Sequence, residues 1–184
     1  MSRWTPRKET TSFDITGPVP DGRPFTGRGT GMFFLQVLVA GIVGTTLMTA
    51  SLWFIHRSGW ANADMTRALG SMLTRRYDGS LGPGLLVQFA GGIAFAVPYL
   101  LILRSTGFTP LSAHLAVGGA LGAFHGLTMS YVLMALVAER HPVEKFRSAG
   151  PEVGAAHIVG HVAYGLGVGL TAWLTRGGTS PPAA

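Results

Sequence analysis

No cysteine occurs among the 184 residues, so disulfides, thiolate nucleophiles and Cys-ligated metals are excluded. Charge is also scarce: Asp, Glu, Lys and Arg make up 12% of the chain, about half their share in an average soluble domain. A soluble protein would struggle to cover its surface with so little charge, whereas a bilayer removes that requirement. The position of the missing charges is more informative. Four long apolar runs lie between Gly31 and Arg176, and no Asp, Glu, Lys or Arg sits deep inside any of them. Without intramembrane carboxylates there is no proton relay of the usual kind, which disfavours an ion-driven transporter and leaves a facilitator open. A Walker loop, a Gly-x-Ser-x-Gly elbow, a His-Glu-x-x-His pair and a C-terminal prenylation box are absent as well. No residue is assigned a catalytic role, and the chain is not expected to be an enzyme.

What is present predicts an all-α fold: an integral membrane four-helix transmembrane bundle. The spans fall at about 32–55, 84–103, 111–138 and 153–174, each with the roughly 20 residues needed to cross a bilayer. Pro98 should kink the second span or free a carbonyl there. Between the first two spans, Met65, Ala68, Leu69, Met72 and Leu73 share one helical face, while Asp64, Arg67, Ser71, Arg75 and Arg76 lie elsewhere on the wheel. An amphipathic helix over about 62–76 follows, with Asn62 or Asp64 as its N-cap. It should lie in the interface plane, with Trp60 and Tyr77 at headgroup level, or dock on a partner subunit.

The domain organisation is then a polar Gly/Pro-rich arm at 1–30, a membrane domain at 31–176 and a disordered tail at 177–184. The arm is either disordered or laid on a partner and anchored by Trp4, Phe13 and Phe25. Its polarity predicts no cleavable signal peptide, so that the first span acts as its own insertion signal. The net charge of +6 comes from basic residues beside the spans, where they meet lipid headgroups or an acidic partner rather than nucleic acid. These residues do not set the orientation. Seven lie on the side of the termini (five in the arm, Arg104 and Arg176), and seven on the other side: Arg57, Arg67, Arg75, Arg76, Arg140, Lys145 and Arg147. The polar start favours cytoplasmic termini in a bacterial inner membrane.

Small residues recur every four positions: Gly41, Thr45 and Thr49 in the first span, Gly118, Gly122 and Gly126 in the third, Gly165 and Gly169 in the fourth. This spacing lets helix backbones approach closely, within the chain or against another subunit. The lone amides Gln36 and Gln88 should hydrogen-bond between helices.

Histidine is the one cofactor handle. His157 and His161 share a helical face with Tyr164, and His114 and His125 share a stripe of the third helix. Counted from their common membrane face, His161 lies about eight residues deep and His125 about thirteen, a mismatch of roughly 7 Å that opposes a haem clamped between them. A polar cluster of Tyr99, His125, His161 and Tyr164 is the cheaper explanation, because polar groups in lipid must find partners. The alternative is a haem or (bacterio)chlorophyll ligated by His125, His157 or His161. No carboxylate or cysteine completes a metal site around the His157–His161 pair, so none is assigned. His56 and His141 are expected to be interfacial and solvated.

Two segments carry a resemblance. Gly41-Ile42-Val43-Gly44-Thr45-Thr46-Leu47-Met48-Thr49 lies in the first span, and Gly160-His161-Val162-Ala163-Tyr164-Gly165-Leu166-Gly167-Val168-Gly169 in the last. Together they resemble small four-helix bacterial membrane proteins classed as a domain of unknown function, with a Gly-rich first span and a final span reading Gly-His-x-x-Tyr-Gly. The resemblance implies a fold and no activity.

The leading expectation is a non-catalytic accessory subunit of a larger bacterial membrane complex, respiratory or photosynthetic. It rests on spans without catalytic chemistry, on small-residue faces more extensive than a lone bundle needs, and on an arm suited to wrap a neighbour. The alternatives are an electron-transfer protein using the span histidines, and a facilitator or lipid-binding protein whose cavity is lined by Tyr99, His125, His161 and Tyr164.

Overall fold

A computed structural model of the chain describes residues 27–133, 135, 138–148 and 150–176. The expected arm (apart from its last few residues), its anchors Trp4, Phe13 and Phe25, and the tail lie outside this range. The described residues form five α-helices: α1 (Gly27–Arg57), α2 (Met65–Thr74), α3 (Leu81–Ser105), α4 (Leu111–Val132) and α5 (Pro151–Leu174). All except the amphipathic α2 are long and apolar enough to cross a membrane. The fold is an all-α, four-helix transmembrane bundle. Glycines with positive φ, Gly59 (φ 75°) and Gly107 (φ 66°), follow α1 and α3, where the left-handed conformation ends a helix at no steric cost. α3 continues through Pro98 as one helix.

The helices pack in the order α4–α5–α1–α3–α2, with only slight contact between α3 and α4. α5 is therefore the central helix: 56% of its apolar stretch is buried, against 22% to 33% in the other spans. Glycine makes this possible. Gly118 and Gly165 cross so closely that a Cβ on either would overlap the other's carbonyl oxygen. Gly122 stands in the same way against the His161 carbonyl, Gly169 against that of His114, and Gly126 against Ile158. On the other side of the bundle Gly41 meets Ile93, Gly44 meets Tyr164, and the Thr45 hydroxyl occupies the space beside Gly92. These faces are engaged inside the chain. The expectation that they exceed what a lone bundle needs is corrected, and with it one of the three supports for an accessory subunit.

α4 also departs from the sequence reading. Its regular turns stop at Val132, not at 138, and give way to wider turns at 133 and 135 and a 3₁₀ turn at Ala138–Arg140. The change comes just after the buried Ser130, whose hydroxyl lies 2.6 Å from the Gly126 carbonyl and 2.9 Å from that of Gly154 at the start of α5.

Both span glutamines bridge helices. Gln36 Nε2 donates to Thr175 Oγ1 at 2.5 Å, and its Oε1 accepts from Arg104. Gln88 Nε2 donates to Thr49 Oγ1 and its Oε1 accepts from the Thr66 hydroxyl, both at 2.8 Å, tying α3 to α1 and α2. Gln88→Leu keeps the volume and removes both bonds, and is expected to destabilise the protein by about 1–3 kcal/mol. Hydrogen exchange should quicken in α2 while protection of α4 and α5 is retained.

α2 begins at Asp64, which accepts from the Arg67 amide at 3.4 Å. Its inner face is Met65, Ala68, Gly70 and Ser71, set against the start of α3, where Gly70 and Gly84 allow backbone contact. Leu69, Met72 and Leu73 remain exposed beside that face, as does Trp60. Tyr77 is instead half-buried, its hydroxyl donating to Asp64 Oδ2 at 3.0 Å and its ring 6.1 Å from that of Phe146. His141 is 1% exposed, correcting the expectation of a solvated residue. Its Nε2–H donates to the Ala68 carbonyl at 3.1 Å and its Nδ1 accepts from the Val143 amide at 3.1 Å, so it fastens the α4–α5 connection to α2. His56 is half-buried, with Nδ1 enclosed and meeting no partner.

Candidate functional site

Because α3 and α4 barely touch, a cleft of about 280 Å³ opens between them, floored by α5 and α1 and reached by Leu69 of α2. Its walls are apolar (Met48, Val87, Phe95, Met129, Leu133), and its polar groups are few: Gln88, His125, His157, His161 and Tyr164. An apolar cavity with a few convergent polar groups is the usual form of a small-molecule site.

The rings form a chain of contacts. His157 and His161 have centroids 4.4 Å apart, His161 and His125 4.5 Å, and His125 and Phe95 4.3 Å. Tyr99 lies behind His125 and meets Tyr164 edge to face at 5.3 Å. The cleft thus gathers the predicted histidines His125, His157 and His161 with Tyr164, while Tyr99 stands in the core next to them. The depth mismatch expected between His125 and His161 does not hold. α4 ends six residues earlier than expected (138 − 132), so His125 lies closer to the shared membrane face.

The hydrogen bonds differ from a closed His–His–Tyr network. Tyr164 donates to the Gly92 carbonyl at 2.5 Å, and the Tyr99 hydroxyl pairs with His125 Nδ1 at 3.2 Å. His161 Nδ1 lies 3.0 Å from the His157 carbonyl. A carbonyl can only accept, so Nδ1 carries the proton and Nε2 holds the lone pair. No described protein group meets that Nε2. His157 Nδ1 is enclosed without a partner, as is the hydroxyl of Thr45. His114 belongs elsewhere, at the opposite end of the bundle: its Nδ1–H donates to the Pro110 carbonyl at 3.0 Å and its Nε2 accepts from Arg176 at 2.9 Å.

These positions bear on the cofactor expectations. A metal between two axial imidazoles, at roughly 2 Å per bond and with each nitrogen about 1 Å from its ring centre, holds the ring centroids about 6 Å apart. The His125 and His161 rings meet at 4.5 Å and 74°, which leaves no slot between them for a macrocycle. One neutral imidazole can ligate such a centre, and His161 lines the cleft. Among the described residues no group of three or more His, Cys, Asp or Glu is placed to hold a metal ion.

Of the cavity lining that the facilitator reading expected, His125, His161 and Tyr164 line this cleft and Tyr99 does not, while its apolar walls were not foreseen. Its walls come from Val87, Phe95 and Met129, ordinary apolar residues whose role depends on α3 and α4 standing apart. Comparison with protein families, curated proteins and solved structures finds no match. The resemblance to the four-helix family therefore rests on the two Gly-rich segments alone.

Proposed function

We propose that this chain is a non-catalytic membrane protein that binds an apolar molecule bearing one hydroxyl or N–H group in the cleft between α3 and α4. The observation that carries this reading is the Nε2 of His161, an imidazole acceptor set in an apolar cleft with its other nitrogen held by the His157 carbonyl. A fatty alcohol or hydroxylated lipid has the matching chemistry: an apolar body for Phe95, Val87 and Met129, and one donor for the imidazole. For the membrane, we keep a bacterial inner membrane and cytoplasmic termini.

The test uses a diazirine-bearing fatty alcohol, photolysed on the full chain in detergent micelles. Adducts are expected to concentrate on the α3 and α4 walls, and His161→Leu should weaken labelling about tenfold, the worth of one buried hydrogen bond. Labelling spread evenly over all lipid-facing helices and unchanged in His161→Leu would sink the proposal. A visible absorption band in protein purified from its own membrane would instead favour a tetrapyrrole ligated by His161.

The accessory-subunit reading keeps two supports, the spans without catalytic chemistry and the polar arm, which lies outside the described residues. Native mass spectrometry of gently extracted protein tests it, since partner subunits would leave the membrane with the chain.

A further inference from the structure

Two imidazoles line the α3–α4 cleft side by side, His161 and His125, with ring centroids 4.5 Å apart and an interplanar angle of 74°. No hydrogen bond joins them, and each is held by a different group. His161 Nδ1–H donates to the His157 carbonyl, which leaves its Nε2 an acceptor. His125 is held the other way round. Its Nδ1 lies 3.2 Å from the hydroxyl of Tyr99, a residue only 4% exposed. Among the described residues that hydroxyl meets no other acceptor, and a buried phenol proton without one is costly, so Tyr99 donates and Nδ1 accepts. The proton of the neutral His125 ring is therefore on Nε2, which becomes a donor. No described protein group meets that Nε2 either.

A plainer explanation is that the two rings simply fill the core. Filling requires neither opposite tautomers on adjacent rings nor a cavity in front of both. The surroundings are otherwise apolar: Phe95 packs on His125 with centroids 4.3 Å apart, and no Asp, Glu, Lys or Arg is among the described lining residues. One ligand oxygen at a hydrogen-bond length of about 2.9 Å from each nitrogen suits rings this close.

We propose that His125 is a second recognition residue of the cleft, donating through Nε2–H to the ligand oxygen whose own hydrogen goes to His161. Tyr99 is its positioning residue, fixing His125 as the donor. The assignment rests on the cleft being the binding site proposed above, and it narrows the ligand to a hydroxyl-bearing lipid. A long-chain alcohol satisfies both nitrogens with one oxygen, whereas an ether lacks the donor and a pyrrole N–H lacks the acceptor.

Three competitors on the same oleyl chain test this against the diazirine alcohol, with the full chain in detergent micelles: oleyl alcohol, its methyl ether and an oleyl pyrrole. Inhibition constants are compared in wild type and variants. His125→Phe should weaken the alcohol and the ether about tenfold and spare the pyrrole. His161→Leu should weaken the alcohol and the pyrrole and spare the ether. Tyr99→Phe lets the His125 proton move to Nδ1, so it too should weaken the ether and spare the pyrrole; it carries the test if His125→Phe fails to fold. A uniform loss in all three competitors would mean a packing role and overturn the proposal. If the alcohol depends on His161 while neither it nor the ether responds at His125 or Tyr99, the donor role is overturned and the cleft reading stands. Competition that depends on neither histidine would mean that water serves both nitrogens, and both readings would fall.

Discussion

Gly165→Ala is expected to cost about 3 kcal/mol or more, the upper part of the range for overpacking. The added Cβ would overlap the Gly118 carbonyl oxygen and come within 2.8 Å of its carbon. Both are backbone atoms of α4, so no side chain can move aside, and the helices must separate. Separation would also draw Gly122 away from the His161 carbonyl and Gly169 from that of His114, which makes the contact cooperative. Gly119→Ala is the control, one position along from Gly118. There a Cβ meets only the tip of Leu166, at 3.4 Å. That change should be neutral or stabilising by up to about 1 kcal/mol, since Ala is the better helix former. Equilibrium unfolding of both variants in mixed dodecyl maltoside and sodium dodecyl sulfate micelles gives the comparison. Equal midpoints would mean that α4 and α5 do not approach as closely as described.

The second large effect is expected at His141. His141→Ala removes a buried ring, the donor to the Ala68 carbonyl and the acceptor of the Val143 amide. Lost hydrogen bonds and an unfilled cavity together should cost about 3 kcal/mol. The loss should be local. Phe146, which packs edge to face on His141 at 5.0 Å, would loosen, and with it Tyr77 and the end of α2. Faster hydrogen exchange in α2 and the α4–α5 connection, with α4 and α5 themselves protected, is the expected signature. Unchanged exchange in α2 would show that its seat on α3 alone holds it.

What the sequence made legible follows from what each inference needed. Four spans and an amphipathic helix required only composition and period, and both appear. Gln36 and Gln88 were readable because an amide in an apolar run must find a partner wherever the helices go. The Gly118–Gly122–Gly126 spacing marked a contact face, but the face it meets could not be read, because small residues suit any close neighbour. It meets α5. His141 misled because it sits next to Pro142 in a polar connection, and nothing local shows that α2 folds back over it. The His125–His161 register failed for a simple reason: residues 133–138 are as apolar as the span before them, so hydropathy ran on where the regular helix stops. The apolar walls of the cleft were invisible because they depend on α3 and α4 meeting only slightly, mainly through His125, a property of no single residue.

The position of α5 has a consequence for how the protein is made. Chains emerge with their N-terminal part first, at about 5–20 residues per second. α1, α2 and α3 have their mutual partners as soon as they are inserted. α4 does not, because its glycine face fits a helix that follows it. The 42 positions from Val132 to Leu174 take roughly 2–8 s to synthesise at that rate. During that interval α4 stands in the bilayer with its glycines turned to lipid and the centre of the bundle vacant. Completion is a single late event, the entry of one helix between two that are waiting for it. A chain halted before α5 would therefore offer the cell's membrane quality control an unpaired glycine seam, whereas a finished one would not.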